Sequence, residues 1–444
     1  MSALDVRVFE SLQTCAPIRA DMARVNDASP RPCPFSTLEF LANHVEHNGI
    51  APGCADARPL MLTAFRGGEL VGYLPLCRVR DRVLGRAREK ITYLVKHDLD
   101  RPHLVARQDD QAACAEAFYR NLVESERDWT FLELDQQDEG SPLYPLPPSV
   151  DTDGLYLRLF ESTSNATIAI PYATLADYFR ALSKKMRSNV GRGARRLFDA
   201  GDVQIVASSG AAMGDGWLDL YRSIEERSWK SGIDWVVGSD PRRIAYFRGL
   251  MSPGQPMGIR FILLVSGGVP IAGIINGRFG GGMHALQIAY DEGFRELDPG
   301  GMMLLVSMKQ AIEERCAYYD LLSGYGYFKE RWLARITPSR NVQLFRRGSL
   351  HHLKAIGGEY RRHLLGLVDP QAGAKKNLAK AAKVAGEGAA EEEGGGRGAA
   401  DPGSAAAGRA EAARMLAELR GSGAAMQIMG KDELMAAMPF AAGR

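Results

Sequence analysis

The chain carries the same hydrophobic plan twice. An apolar run, Leu60-Met61-Leu62-Thr63-Ala64-Phe65, breaks at Arg66-Gly67-Gly68-Glu69 and resumes as Leu70-Val71-Gly72-Tyr73-Leu74-Pro75-Leu76. Some two hundred residues later, Phe261 to Ser266 breaks at Gly267-Gly268-Val269-Pro270 and resumes as Ile271-Ala272-Gly273-Ile274-Ile275. Both read as β-hairpins, with the glycines supplying the positive φ angles of a tight turn. Each is followed by a helical pattern and then a strand. In the first half the helix is Gln111 to Glu124 and the strand Trp129 to Leu134; in the second they are Gly301 to Cys316 and Tyr318 to Leu322. Between the halves, Leu175, Tyr178, Phe179, Leu182 and Met186 recur at helical spacing, and Trp217, Tyr221 and Ile224 mark another helix. A last strand is expected near Asn341 to Arg346, in the C-terminal half. Antiparallel strands leading into strand-helix-strand units predict an α/β (α+β) fold of two halves, each a mixed, mostly antiparallel sheet flanked by helices.

From about Val368 to Arg444 the pattern fades into Ala, Gly and Glu, as in Glu391-Glu392-Glu393-Gly394-Gly395-Gly396. Such a stretch buries too little apolar surface to offset its ordering entropy, so a disordered tail is expected there, with one short helix near Glu411 to Leu419. The predicted divisions are therefore 1–160, 161–367 and 368–444.

The 444 residues suffice for two or three domains, each with its own core. Net charge is +2, which gives no reason to expect nucleic acid or membrane as the main partner. Met1 to Glu10 lacks the apolar centre of a secretory signal, and no apolar run approaches the roughly 18 residues of a spanning helix. The six cysteines form no C-x-x-C pair and read as reduced thiols, so a cytoplasmic location and no metal site are expected.

Four segments could carry chemistry. In the first, a strand ends near Asp291, and the chain passes through Asp298-Pro299-Gly300-Gly301 into an apolar helix. Early helical amides have no intrahelical acceptor, and Gly300 and Gly301 would let that backbone approach a phosphate. Asp298 acting simply as a cap, with Pro299 at the first helical position, reads the same residues without any ligand. In the second, Asp320-Leu321-Leu322-Ser323-Gly324-Tyr325-Gly326 runs into Tyr327-Phe328-Lys329-Glu330-Arg331-Trp332, where Lys329 or Arg331 could hold a phosphate or offset charge on an acyl oxygen. The competing reading is a solvated turn. The third is the basic stretch Arg180 to Arg196, in which Lys184, Ser188, Arg192 and Arg196 share one face at steps of four, beside Lys185, Arg187 and Arg195. It suits an anion or is merely a solvated face weakened by Gly191 and Gly193. In the fourth, Glu225 to Gly232, Trp229 either walls a pocket or packs in the core. His284 and Gln287 lie on one strand and, by period-two alternation, are expected on opposite sides.

The ordered run Leu182-Ser183-Lys184-Lys185-Met186-Arg187-Ser188-Asn189, Ser228-Trp229-Lys230, Tyr290-Asp291, Pro299-Gly300, Asp320-Leu321-Leu322-Ser323-Gly324, Phe328-Lys329 and Trp332 resembles the CelD/BcsL family of GNAT acyltransferases, relatives of the FemAB aminoacyltransferases. The resemblance is densest over 168–347, with a looser match over 34–76. It implies two GNAT-like halves in tandem, with acetyl-CoA or another acyl-CoA as co-substrate and a small-molecule or glycan-precursor acceptor. It places the donor on the strand Met283 to Asp291 and on Tyr290, Pro299, Gly300, Gly301 and Met302. Asp320, Asp291 and His284 become candidate bases and Lys329 the charge stabiliser, while Lys184, Arg187, Arg192, Trp229, Lys230, Tyr325 and Trp332 surround the substrates. The loop departs from the Q/R-x-x-G-x-G/A signature of other GNAT enzymes. FemAB relatives use aminoacyl-tRNA, so tRNA is a second donor class, and a non-catalytic anion-binding protein is a third reading.

Overall fold

The computed structural model describes residues 4–50, 56–83, 85–95, 103–125, 128–208, 214–231, 236–238, 240–324, 327–368, 402–422, 426–436 and 438. In chain order the elements begin β1 (Asp5–Phe9), α1 (Arg19–Asp27), α2 (Leu38–Asn48), β2 (Ala57–Arg66), β3 (Glu69–Val83), β4 (Arg86–Tyr93), β5 (Val105–Ala106), α3 (Gln111–Arg120), β6 (Trp129–Asp138) and β7 (Leu155–Ala169). They continue with α4 (Leu175–Ala181), α5 (Lys184–Asp199), β8 (Val203–Ser208), α6 (Gly216–Glu226), α7 (Pro241–Met251), β9 (Gly258–Ser266), β10 (Val269–Phe279), β11 (Gly282–Tyr290), α8 (Pro299–Glu313), β12 (Tyr318–Ser323) and α9 (Tyr327–Arg331). The chain closes with β13 (Arg335–Arg346), α10 (Leu350–Val368), α11 (Pro402–Gly421), β14 (Met426–Met429) and α12 (Lys431–Ala436).

The chain divides into two units. One is Met1–Asn165 with Ser323–Gly326 and Ile336–Glu393; the other is Ala166–Leu322 with Tyr327–Arg335 and Gly394–Arg444. Both have the predicted GNAT-like plan. In the first unit β2 and β3 form a long hairpin whose turn places Gly67 at φ 57° and Gly68 at φ 86°, and β4 then pairs parallel with β6 after α3. In the second, β9 and β10 repeat the hairpin with Gly267 at φ 56° and Gly268 at φ 80°, and β11 pairs parallel with β12 after α8. Two consecutive positive φ values give the turn the twist of the flanking strands, which is why a Gly-Gly pair sits at each.

Two expectations are corrected. The last strand does not complete the C-terminal half: β13 pairs antiparallel with β6 of the first unit, from Ser339↔Asp138 to Phe345↔Phe131, with Phe131 and Phe345 stacked 4.6 Å apart. Alternation along 335–346 says which residues face a core but not which sheet accepts the strand. The tail expected to be disordered from 368 instead forms α11, β14 and α12 within 402–436, packed on the second unit; 369–401 lie outside the described residues. Its average composition hides a stripe at helical spacing, Ala412, Leu416 and Leu419, all buried. Five of the cysteines are free and buried, and burial pushes the Cys15 thiol up to about 11 and Cys114 up to about 12, so neither is a nucleophile near neutrality.

Candidate active site

The second unit positions its site through the way β11 leaves β12. The parallel ladder has three pairs, Gly282↔Tyr318, Met283↔Tyr319 and His284↔Asp320, and stops there, while β11 runs on to Tyr290 against β10 alone. The two strands therefore fork at His284 and Asp320. Beyond that point no second strand among the described residues pairs with β11, and such an edge is where an extended ligand adds as a strand would.

A bulge lies at the same place. Ile275 pairs with Gln287 and Asn276 with Ala285, so Leu286 is an extra residue in β11. It corrects the expectation that His284 and Gln287 face opposite sides. Asn276 and Tyr319 point toward α8, where Asn276 Nδ2 donates to Ser307 Oγ at 3.1 Å and Tyr319 Oη donates to Asn276 Oδ1 at 2.9 Å. Their register partners Ala285 and Met283 share that side; His284 and Asp320, which alternate with them, and Gln287, which pairs with Ile275, lie on the opposite face, that of α6, where Gly273 meets Tyr221 and Ile224.

On that face a buried polar group is assembled. His284 Nδ1 lies 3.8 Å from Asp320 Oδ2, and the His284 and Tyr318 rings meet edge to face at 5.8 Å. Asp320 Oδ1 accepts from the Leu322 amide at 2.9 Å, which holds Leu322 at φ 59° where the strand ends. Lys329 Nζ donates to the Leu321 carbonyl at 3.0 Å, so α9 returns its ammonium to the mouth of the fork. Lys230 Nζ donates to Gln287 Oε1 at 2.8 Å, beside the half-buried Trp229 ring at 5.5 Å. Behind Lys230 lies Glu225, whose Oε2 accepts from the Gly238 amide at 3.1 Å. Burial pushes the Glu225 carboxyl above its ordinary value, against the pull of Lys230, the Gly238 and Val237 amides and Arg243. The sequence reading passed over Glu225. Its signal was there: Glu225 stands four residues after Tyr221 and eight after Trp217, a charge on an apolar stripe.

Gly282 sets the first rung of the ladder, and a Cβ there would come within 2.2 Å of the Tyr318 ring. Gly282→Ala should destabilise the second unit by about 1–3 kcal/mol through overpacking. Equilibrium denaturation of Gly282→Ala alone and combined with Tyr318→Ala measures it; a cost that the second change does not relieve would mean the ring is not the cause.

The other candidates are dispersed. Asp291, at the end of β11, accepts from Arg227 Nε at 2.9 Å, from Arg409 Nε and Nη2 at 2.9 and 2.8 Å, and from the Gly293 amide at 2.9 Å. Burial acts to raise its carboxyl, but the two guanidiniums outweigh that and hold it below the ordinary carboxylate value. With both oxygens engaged, it serves the structure here better than it would serve as a base.

Asp298, at φ 52°, begins α8 and accepts from the Gly301 amide at 3.3 Å. A Cβ on Gly301 would lie 2.7 Å from that carboxylate, so the cap itself accounts for this glycine. Gly300 stands against the Tyr290 ring, Pro299 is buried, and Met302 points into the core. Desolvation raises the Asp298 carboxyl, opposed by the Gly301 amide and by the positive charges of Arg196 and Arg331.

α5 runs unbroken through Gly191 and Gly193, and Gly193 brings its backbone close to Asp298. Its buried side is Met186, Val190, Ala194 and Leu197, which leaves Lys184, Lys185, Arg192, Arg195 and Arg196 exposed. Arg187 turns back to the Arg180 and Leu182 carbonyls. Trp332 is buried, with its carbonyl accepting from Tyr178 Oη at 2.8 Å. Tyr325 lies outside the described residues.

A forked parallel strand pair, bulged at the fork and followed by a loop and helix, is the plan of a GNAT-like fold. Residues 184–330, about a third of the chain, match the family described as an acetyltransferase (GNAT) domain. Among solved structures the chain is similar to FemX, 11% identical with a TM-score of 0.50 over 73% of this chain and 95% of that one. It also matches a tandem GNAT protein from the clavulanic acid biosynthesis pathway (13% identical, TM-score 0.43, 78% and 99% covered). A third match is the C-terminal domain of a putative lysylphosphatidylglycerol synthetase from Agrobacterium fabrum (11%, 0.40, 63% and 83%). At 11% identity the likeness to FemX bears on the fold alone. No curated protein matches the chain. Among the described residues, no helix is long and apolar enough to cross a membrane.

Proposed function

We propose that the second unit transfers an acyl group, acetyl or longer, from acyl-CoA to an amine or hydroxyl of a small-molecule or glycan-precursor acceptor, as in the CelD/BcsL-type enzymes that the sequence resembles. The observation that carries this reading is the fork at His284 and Asp320, with its open strand edge and buried polar face. The pantetheine arm would lie along 285–290 of β11, where a backbone amide can polarise the thioester carbonyl. The acceptor attacks that carbonyl directly; its proton passes to His284, oriented by Asp320, and the CoA thiolate leaves as the tetrahedral intermediate collapses. Lys329 offsets negative charge on the acyl oxygen, and Lys230 with Gln287 orients the acceptor. The pyrophosphate would meet Gly300 at the start of α8, with Arg196 and Arg331 beside it.

A second reading has its own observation. The Asp298 carboxylate already takes the Gly301 amide, and the exposed cations of α5 form a broad basic face. Both favour a donor whose phosphates are spread along a backbone, such as aminoacyl-tRNA, over one that concentrates them at α8.

A melting screen against acyl-CoA species, dephosphorylated pantetheine, aminoacyl-tRNA and sugar nucleotides tests both. A ligand at a hundred times its Kd adds about 2.7 kcal/mol of stability, well within reach of the measurement. Stabilisation by acetyl-CoA and not by the dephosphorylated arm supports the first reading; stabilisation by charged tRNA alone replaces it with the second. Lys329→Ala should lower turnover roughly a hundredfold while costing about 1–3 kcal/mol of stability. Equal turnover in the two proteins removes Lys329 from the chemistry.

A further inference from the structure

The C-terminal arm grips most of the elements that frame the candidate site. α11 lays Ala412, Leu416 and Leu419 against α6 and β10. β14 adds to the free edge of β8, from Met426↔Ser208 to Met429↔Ile205. α12 buries Leu434, and ion pairs tie Lys431 to Asp199 at the end of α5 and Glu433 to Lys309 on α8, at 3.5 and 3.3 Å.

The most directed contact of the arm is made by Arg409. Its fork closes on both oxygens of Asp291, at 2.9 and 2.8 Å, and its guanidinium lies 5.2 Å from the centre of the Phe294 ring. A Cβ on Gly293 would fall 2.2 Å from Arg409 Nη2, so the side chain lies flush against the turn's backbone. Arg227 completes the junction. It donates to Asp291 Oδ2 at 2.9 Å, to the Pro270 carbonyl at 2.9 Å and to the Gly408 carbonyl of the arm at 3.4 Å.

This junction stands at the start of the turn that joins β11 to α8. The turn, Glu292–Leu297, is a short 3-10 helix with no buried residue, so it has no core of its own. Its geometry depends on its two ends. Asp298 fixes the far end against Gly193 of α5 and the Gly301 amide, and Asp291 fixes the near end. A bidentate guanidinium–carboxylate pair sets orientation as well as distance.

We propose that Arg409 is a positioning residue for the donor site: the C-terminal arm, through the Arg409–Asp291 fork and the contact with Phe294, holds the 292–298 turn in place. This rests on the acyl-donor reading above, in which the turn leads the donor's phosphates to α8.

The test compares full-length wild type, Arg409→Ala and Arg409→Lys by hydrogen exchange and by acetyl-CoA affinity. Arg409→Ala should speed exchange of the 293–298 amides and weaken acetyl-CoA binding, each about tenfold, the loss of one charge-assisted contact. The kcat at saturating donor should change little, and the α11 amides should stay protected, showing the arm still docked. Lysine keeps the charge without the fork and should fall between the two. Wild-type exchange in the turn, or a faster turn with unchanged donor affinity, overturns the proposal. If wild type binds no acyl-CoA, the donor reading fails by itself. The same three proteins are then compared for binding of aminoacyl-tRNA, where equal affinities with a loosened turn overturn the role of Arg409.

Discussion

His284→Ala should lower kcat by about a hundredfold to ten-thousandfold, the range expected if His284 is the positioned general base proposed above, while donor KM should change little. The expectation follows from the fork: His284 is the last β11 residue paired with β12, it is buried, and its Nδ1 faces Asp320 at 3.8 Å. A carboxylate at that distance favours the imidazolium that would form on proton uptake. Asp320→Asn should therefore cost a comparable factor, and the double variant little more than either single one, because groups acting as a unit are not additive. CoA release with the acceptor found by screening measures all three. A folded His284→Ala protein with wild-type kcat would move the proton transfer elsewhere, with Glu225 the next buried carboxylate on the same face.

Asp291→Ala should be the most destabilising substitution near the site, at about 3–5 kcal/mol. The side chain of Arg227 is 6% exposed and that of Asp291 2%, so the alanine would strand a buried guanidinium without its anion, and it would release Arg409 as well. The pH dependence has a definite sign. The folded-state carboxyl titrates below its ordinary 3.8, so the pair contributes fully above that value and its contribution is lost as pH falls through the lower folded-state value. Urea titrations of wild type and Asp291→Ala at neutral and acid pH check both points: the difference should be large at neutral pH and shrink below about pH 4. A small difference at neutral pH would show that Arg227 finds other acceptors.

These two substitutions separate neighbours that the sequence lists together as candidate bases. Asp291 follows one apolar strand and Asp320 lies within another, each a few residues before a turn, and no local pattern ranks one above the other. The difference arises from residues far away in the chain. Arg227 and Arg409 arrive at Asp291 from 64 and 118 positions away, whereas Asp320 meets His284 across the parallel ladder.

Elsewhere the local code was sufficient. Paired glycines at 67–68 and 267–268 specify tight hairpins because such turns match the strand twist, and the apolar spacing of α6 fixes which side it buries. The two hairpins, the helix and strand that follow each, and the strand carrying His284 and Gln287 were readable from periodicity. Periodicity records only which positions of an element are apolar. It carries no information about which distant segment satisfies an edge or a charge, because those choices depend on contacts summed over the folded chain. Tertiary structure therefore decided that one extra residue at Leu286 brings Gln287 to the side of His284, and that Asp298 occupies an amide at the start of α8. It also decided that β13 joins the first unit, and that a chain end rich in Ala and Gly folds back to place Arg409 on Asp291.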